Sequence, residues 1–105
     1  MGRIYKILPR AEWAQAQAAG RFEGSGIDRT DGYIHFSTAA QAGETARKHF
    51  AGRADLVVLE IEADDLGAGL VFFPHLYGVL DVGLVLAVTE APLDADGVPQ
   101  LGALG

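Results

Sequence analysis

The chain contains no cysteine. Structural disulfides, cysteine-ligated zinc and a catalytic thiol are excluded from the start. Positive charge is scarce too, with 8 lysines and arginines against 14 acids and a net charge of −6. It is unevenly spread: residues 1–50 hold 7 basic side chains and 5 acids (+2), whereas residues 51–105 hold 1 and 9 (−8). A basic stripe able to neutralise several phosphates is missing, so nucleic acid is not an expected partner. Long apolar runs are also absent. Met1 to Arg10 lacks the apolar stretch of a signal peptide, and no segment approaches the roughly 20 apolar residues of a membrane span. The expectation is a cytoplasmic protein with no membrane contact.

What remains is an ordinary globular composition, 50% hydrophobic and 21% charged over 105 residues. A single domain takes about 50 to 250 residues, so the chain has room for one. Roughly two thirds of the unfolded surface is buried at this size, which points to a site in a surface cleft rather than a deep cavity. The domain is expected over residues 1–91, with an irregular tail over 92–105, where periodicity and apolar residues thin out after Pro92.

Ile4, Tyr5, Ile7 and Leu8 form a β-favouring run that Pro9 ends, giving a strand over residues 3–8. Residues 10–19 (RAEWAQAQAA) are good helix formers closed by Gly20, with Trp13 as the apolar anchor. Residues 20–32 contain four glycines among hydroxyl and Asp turn formers and are expected to form a loop. Residues 33–37 (YIHFS) favour a strand, and Thr38 with Gln41 forms a capping box that opens a helix over 38–50. Residues 55–63 (DLVVLEIEA) have the apolar run of a central strand. A short strand is expected at 70–73, cut off by Pro74, and a long final strand at 79–88, interrupted by Asp81 and Gly83. This order lacks the regular alternation of a doubly wound sheet. It fits an α+β domain with two helices against a small, split, mainly antiparallel sheet.

Two segments carry the candidate chemistry. The strand period of two sends Ile34 and Phe36 to one face and Tyr33, His35 and Ser37 to the other. In Phe73-Pro74-His75-Leu76-Tyr77-Gly78 the same period puts His75 and Tyr77 on one side. Histidine exchanges protons near neutral pH, and tyrosine offers a flat ring with a polar tip. His49, beside Phe50 on the helix, reads as structural or surface. The three histidines lack an HxH or HExxH spacing, so no metal site is expected. The glycines of residues 20–26 do not link a strand to a helix in the nucleotide-fingerprint manner. Asp28 and Asp31 read as Asx turns. A Ser-His-Asp arrangement from Ser25 or Ser37, His35 and Asp28 lacks the GxSxG elbow.

These residues together resemble a family of small bacterial proteins, the domain of unknown function 952. The resemblance covers roughly residues 3–90. It is carried by Ile4-Tyr5-Lys6-Ile7, Trp13, Gly24-Ser25, Asp28, residues 31–37, Gln41, Thr45, Asp55-Leu56 and the 73–78 block. It implies an ADP-ribosyltransferase-like α+β fold, a split sheet with a cleft that in the enzymes holds NAD. It further implies that His35 orients a ribose hydroxyl, that His75 and Tyr77 position a leaving base, and that Ser25, Asp28, Tyr33 and Ser37 line the ligand. The ligand would be a small nucleotide-like molecule, NAD as a substrate among them, with no resident cofactor. No glutamate is placed by the pattern: Asp81 and Glu90 are the acids downstream of the second block within the domain, and neither sits in a motif. Two other readings stand beside this one, a non-catalytic sensing or interaction module and a metal-free hydrolase using Asp28 and His35.

Overall fold

Strand β1 (Arg3–Pro9) divides the protein into two apolar layers because consecutive side chains leave a strand on opposite faces. Ile4 and Leu8 enter one buried cluster, Tyr5 and Ile7 the other. Strand β4 (Leu56–Glu62) pairs antiparallel along the whole of β1 and splits in the same way, Val57, Leu59 and Ile61 to the first layer and Leu56 and Val58 to the second. A strand covered on both faces reads as a continuous apolar run, which is why residues 56–59 do not alternate. Strand β8 (Val85–Glu90) completes this sheet in the order β1-β4-β8.

The computed structural model describes residues 2–24, 26–71, 75–95, 97–99 and 101, and for residues 27, 29, 67–71 and 75 it describes the backbone. Helix α1 (Arg10–Ala19) follows Pro9, whose fixed φ suits a helix start, and buries Trp13 and Ala16 in the first layer. It ends at Gly20, which adopts φ +82° and donates to the carbonyls of Ala16 and Gln17. Helix α3 (Ala39–His49) covers the second layer through Ala42 and Ala46. The Gln41 side chain accepts from the Thr38 N–H at 3.3 Å, one half of the capping box expected there.

The segment 20–32 is not a loop throughout. It contains strand β2 (Arg21–Phe22) and a short helix α2 (Gly26–Asp31). Phe22 is buried, and that one apolar anchor fixes a segment whose composition favours turns. The expected strand at 79–88 is likewise divided. Strand β7 (Leu80–Asp81) pairs with β2, Asp81 accepts the Gly83 N–H at 2.8 Å to open a 3₁₀ turn over Val82–Leu84, and the chain then enters β8. Strand β3 (Ile34–His35), strand β5 (Leu70–Val71) and strand β6 (His75–Leu76) form a third sheet in the order β3-β6-β5. All these pairings are antiparallel. The fold is α+β, with two longer helices on small, mainly antiparallel sheets.

Beyond Pro92, Leu93 bridges to Pro99, Asp94 accepts the Val98 N–H, and Leu101 packs into the second layer. Among the described residues, no helix is long and apolar enough to cross a membrane.

Candidate functional site

Alternation over residues 33–36 holds. Ile34 and Phe36 are buried in the first layer, while Tyr33 and His35 are half-buried on the other face. Strand β6 lies against β3 so that His35 and His75 are directly opposed and Ile34 faces Leu76. Directly opposed residues of an antiparallel pair have Cα atoms about 4.5–5.5 Å apart, so the two histidine blocks meet at the backbone. The His75 side chain lies outside the described residues, as does Ser25 altogether.

Just past β6, Tyr77 is exposed, and its ring centroid lies 5.0 Å from that of Tyr33. Tyr33 in turn lies 4.7 Å from the His35 ring. The three rings form a row, tilted by 51° and 57° at its two contacts, within the separations at which aromatic quadrupoles attract.

Two carboxylates hold His35. Asp31 Oδ2 lies 2.9 Å from Nε2 and accepts its proton, which fixes the ring's orientation. Asp28 Oδ1 accepts the His35 backbone N–H at 3.1 Å and lies 3.9 Å from Nε2. Asp28 is the organising residue of the segment. Its carbonyl takes the N–H groups of Gly32 and Tyr33, and its other carboxylate oxygen pairs with Lys6 Nζ at 2.7 Å. Both side chains of that pair are buried, Lys6 at 6% exposure and Asp28 at 1%. Burial pushes the Lys6 ammonium below its ordinary value, and the Asp28 charge and hydrogen bond oppose that fall. Gly24, at φ +110°, lets the chain pass close to this pair, since a Cβ there would sit 2.8 Å from Asp28 Cβ.

Behind His35 opens a cleft of about 500 Å³ between β1 and α3. Tyr5, Ile7, Phe36 and Phe50 supply its apolar lining, and Ser37, Thr45 and His49 its polar lining. Ser37 is buried there, exchanging two backbone hydrogen bonds with Tyr5 and placing its hydroxyl 3.2 Å from Thr45 Oγ1. A second groove of about 440 Å³ runs between α1 and β2 and contains none of the residues singled out from the two histidine blocks.

The structure thus brings Tyr33, His35 and Tyr77 into one row, with His75 opposed to His35 at the backbone. Ser37 lies along the cleft rather than in the row. Asp28 sits beneath the site in a buried ion pair, a position that takes it out of proton exchange with a bound ligand and removes the basis of the Asp28–His35 hydrolase. The downstream acids are engaged elsewhere, Asp81 with Gly83 and Glu90 with Arg10. Sequence reasoning missed Asp31 as the carboxylate beside His35, Lys6 as the partner of Asp28, and Thr45 and His49 as cleft residues. Lys6 alone carried a usable signal: it shares the inward phase of Ile4 and Leu8, and an inward lysine requires a buried partner. Among the described residues, no group of three or more His, Asp or Glu side chains could hold a metal ion.

Comparison with known proteins bears out the family itself. The family described as Protein of unknown function (DUF952) matches residues 7–88, and the chain belongs to it. Protein CC0527 from Caulobacter crescentus is similar in its crystal structure, with 54% identity over 95% of each chain and a TM-score of 0.93. Its solution NMR structure gives 54% identity over 97% of this chain and 95% of that one, with a TM-score of 0.88. No curated protein matches the chain.

Proposed function

We propose that the Tyr77–Tyr33–His35 row, with the cleft behind it, binds a small nucleotide or ribose-phosphate ligand such as NAD on an ADP-ribosyltransferase-like frame. The row itself carries this reading. It offers ring faces for a base at one end and, at the other, an imidazole whose orientation Asp31 fixes, suited to a ribose hydroxyl. The reaction it suits is N-glycosidic cleavage or ribosyl transfer: the carbon–nitrogen bond breaks, its electron pair leaves with the base, and water or an acceptor hydroxyl adds to the ribosyl carbon and loses its proton. Asp31 is the nearest described carboxylate to His35 and the candidate to stabilise the positive charge that develops. His75 and Tyr77 would position the leaving base. The partner is a small molecule, no resident cofactor is called for, and a cytoplasmic setting suits a cysteine-free chain.

A non-catalytic sensor is the second reading, favoured by the engagement of Asp31 with His35 and of Asp81 and Glu90 with other groups. Thermal-shift titration with NAD, ADP-ribose and inorganic phosphate tests the shared premise. A ligand at one hundred times its dissociation constant stabilises by about 2.7 kcal/mol, and the shift should vanish in His35→Ala and Tyr77→Ala. A flat response to the whole panel would overturn nucleotide binding. Binding without nicotinamide release leaves the sensor.

A further inference from the structure

The ribose reading names a sugar and a base but not which base. Charge at the row narrows it. From its exposed end the row runs Tyr77, Tyr33, His35 and then the Asp31 carboxylate, through contacts of 5.0, 4.7 and 2.9 Å. Tyrosine faces carry the negative part of the ring quadrupole and attract a cation held within about 6 Å. Asp31 adds a full negative charge on a side chain that is 39% exposed. Lys6 answers Asp28 at 2.7 Å, whereas Asp31 is met by the His35 imidazole and, among the described side chains, by no lysine or arginine. A neutral ring that covered Asp31 would strip its hydration and give nothing in exchange; a cationic ring replaces the lost water with an opposite charge.

The chemistry of departure gives a second, independent argument. A neutral base leaves a ribosyl carbon as an anion unless a general acid protonates it. Both described carboxylates at the row are already acceptors, Asp31 from the imidazole and Asp28 from the Lys6 ammonium and the His35 amide, so neither supplies that proton. A base that is positively charged before the bond breaks needs none. The electron pair of the carbon–nitrogen bond neutralises it as it departs, water adds to the ribosyl carbon, and the proton of the added water passes to solvent.

We propose that the row selects N-glycosides whose base is a cation, by charge rather than by ring identity. An N7-alkylated purine nucleoside is then accepted as an N-alkylpyridinium nucleotide is, and the neutral counterpart of each is disfavoured. This deepens the nucleotide reading and rests on it: His35 still takes a ribose hydroxyl, and the positive ring, bonded to that ribose, falls between the tyrosine faces and Asp31.

Two matched pairs test the selection at pH 6, where 7-methylguanosine is cationic: 7-methylguanosine against guanosine, and NAD against NADH. Dissociation constants are read from the backbone amide shifts of Tyr33 and His35. The cationic member of each pair is expected to bind about 5- to 30-fold tighter, the combined effect of two ring contacts at an exposed site. Tyr77→Phe, which keeps a ring face, should retain most of that ratio, whereas Tyr77→Leu and Asp31→Asn should each shrink it. Equal affinities within both pairs would overturn charge selection and leave the ribose reading in place. So would a preference confined to one pair, a ratio untouched by both Tyr77→Leu and Asp31→Asn, or guanine released from guanosine. No response to any of the four compounds would overturn the ribose reading itself, and this inference with it.

Discussion

The β1-β4-β8 sheet and the small β3-β6-β5 sheet around His35 are held by opposite means. In β1 and β4, Leu8, Leu56, Leu59 and Ile61 are fully enclosed, and seven pairs of residues face one another in unbroken register. Hydrophobic burial dominates that region, with Lys6 as the one buried charged side chain that β1 carries into it among the described residues. Strands β3 and β6 are two residues each, too short to bury much, and their geometry depends on Asp28. One side chain there bonds β1 through Lys6 and β3 through the His35 amide, while its carbonyl closes the turn before Tyr33. The polar network places the site; the apolar sheet forms the core on which it is built.

The largest effect should come from cutting that network. Asp28→Ala leaves the Lys6 ammonium buried without its partner and is expected to cost about 3–5 kcal/mol in urea unfolding. Asp28→Asn separates the roles, since its amide oxygen still accepts the His35 N–H while the charge is lost. It should destabilise yet keep the His35 amide resonance near its original position. Lys6→Met with Asp28→Leu should recover stability while displacing that resonance, because the acceptor is gone. If the double variant kept both stability and the His35 resonance, the dependence of the site on Asp28 would be refuted.

On the other side of the comparison, Leu59→Ala removes a fully buried side chain from the centre of β4. A loss of about 2–5 kcal/mol is expected, with the His35–Asp31 contact intact under native conditions. Gly24→Ala comes next. The left-handed backbone and the 2.8 Å approach to Asp28 Cβ together should cost at least about 1–2 kcal/mol, with shifts concentrated in residues 26–35. Shifts spread evenly through β4 instead would show that the two regions are not separately built. Tyr5→Phe runs the other way. Removing a buried hydroxyl that has no partner should raise stability, by about 1 kcal/mol, in the absence of any ligand.

The same contrast explains what could be read from the residues alone. Residues 55–63 and 38–50 announced a strand and a helix because apolar spacing and a capping box are local signals. Period two grouped Tyr33 with His35 and His75 with Tyr77 within each block, whereas the antiparallel pairing of the two blocks is a tertiary fact that no local spacing encodes. The short elements β2 and α2 were not legible, since one tertiary anchor, Phe22, overrides turn-favouring glycines. Nor was the pairing of His35 with Asp31. Four residues apart on either side of a turn, they meet because Asp28 closes that turn, and Asp28 owes its position to Lys6, more than twenty residues away in sequence.

The smallest expected effect lies on the surface and distinguishes exposed from buried charge by its pH dependence. Arg53 grips Asp55 with two hydrogen bonds, of 3.0 and 2.9 Å, and holds its carboxyl below the usual 3.8. The unfolded chain then binds more protons than the folded one between those two values, so this contribution is complete above pH 3.8 and disappears as pH falls through the lowered value. Asp55→Asn should therefore melt below the parent at pH 6 by a small, salt-sensitive margin that closes on acidification. A margin that persisted to the lowest pH at which the protein folds would exclude the ion pair as its source. Lys6 predicts the opposite end of the scale. Its buried ammonium titrates below the usual 10.5, so stability linked to it rises as pH climbs through its lowered value toward 10.5. Added salt should flatten the Asp55 response and leave the Lys6 response nearly unchanged, because screening reaches exposed charges and not enclosed ones.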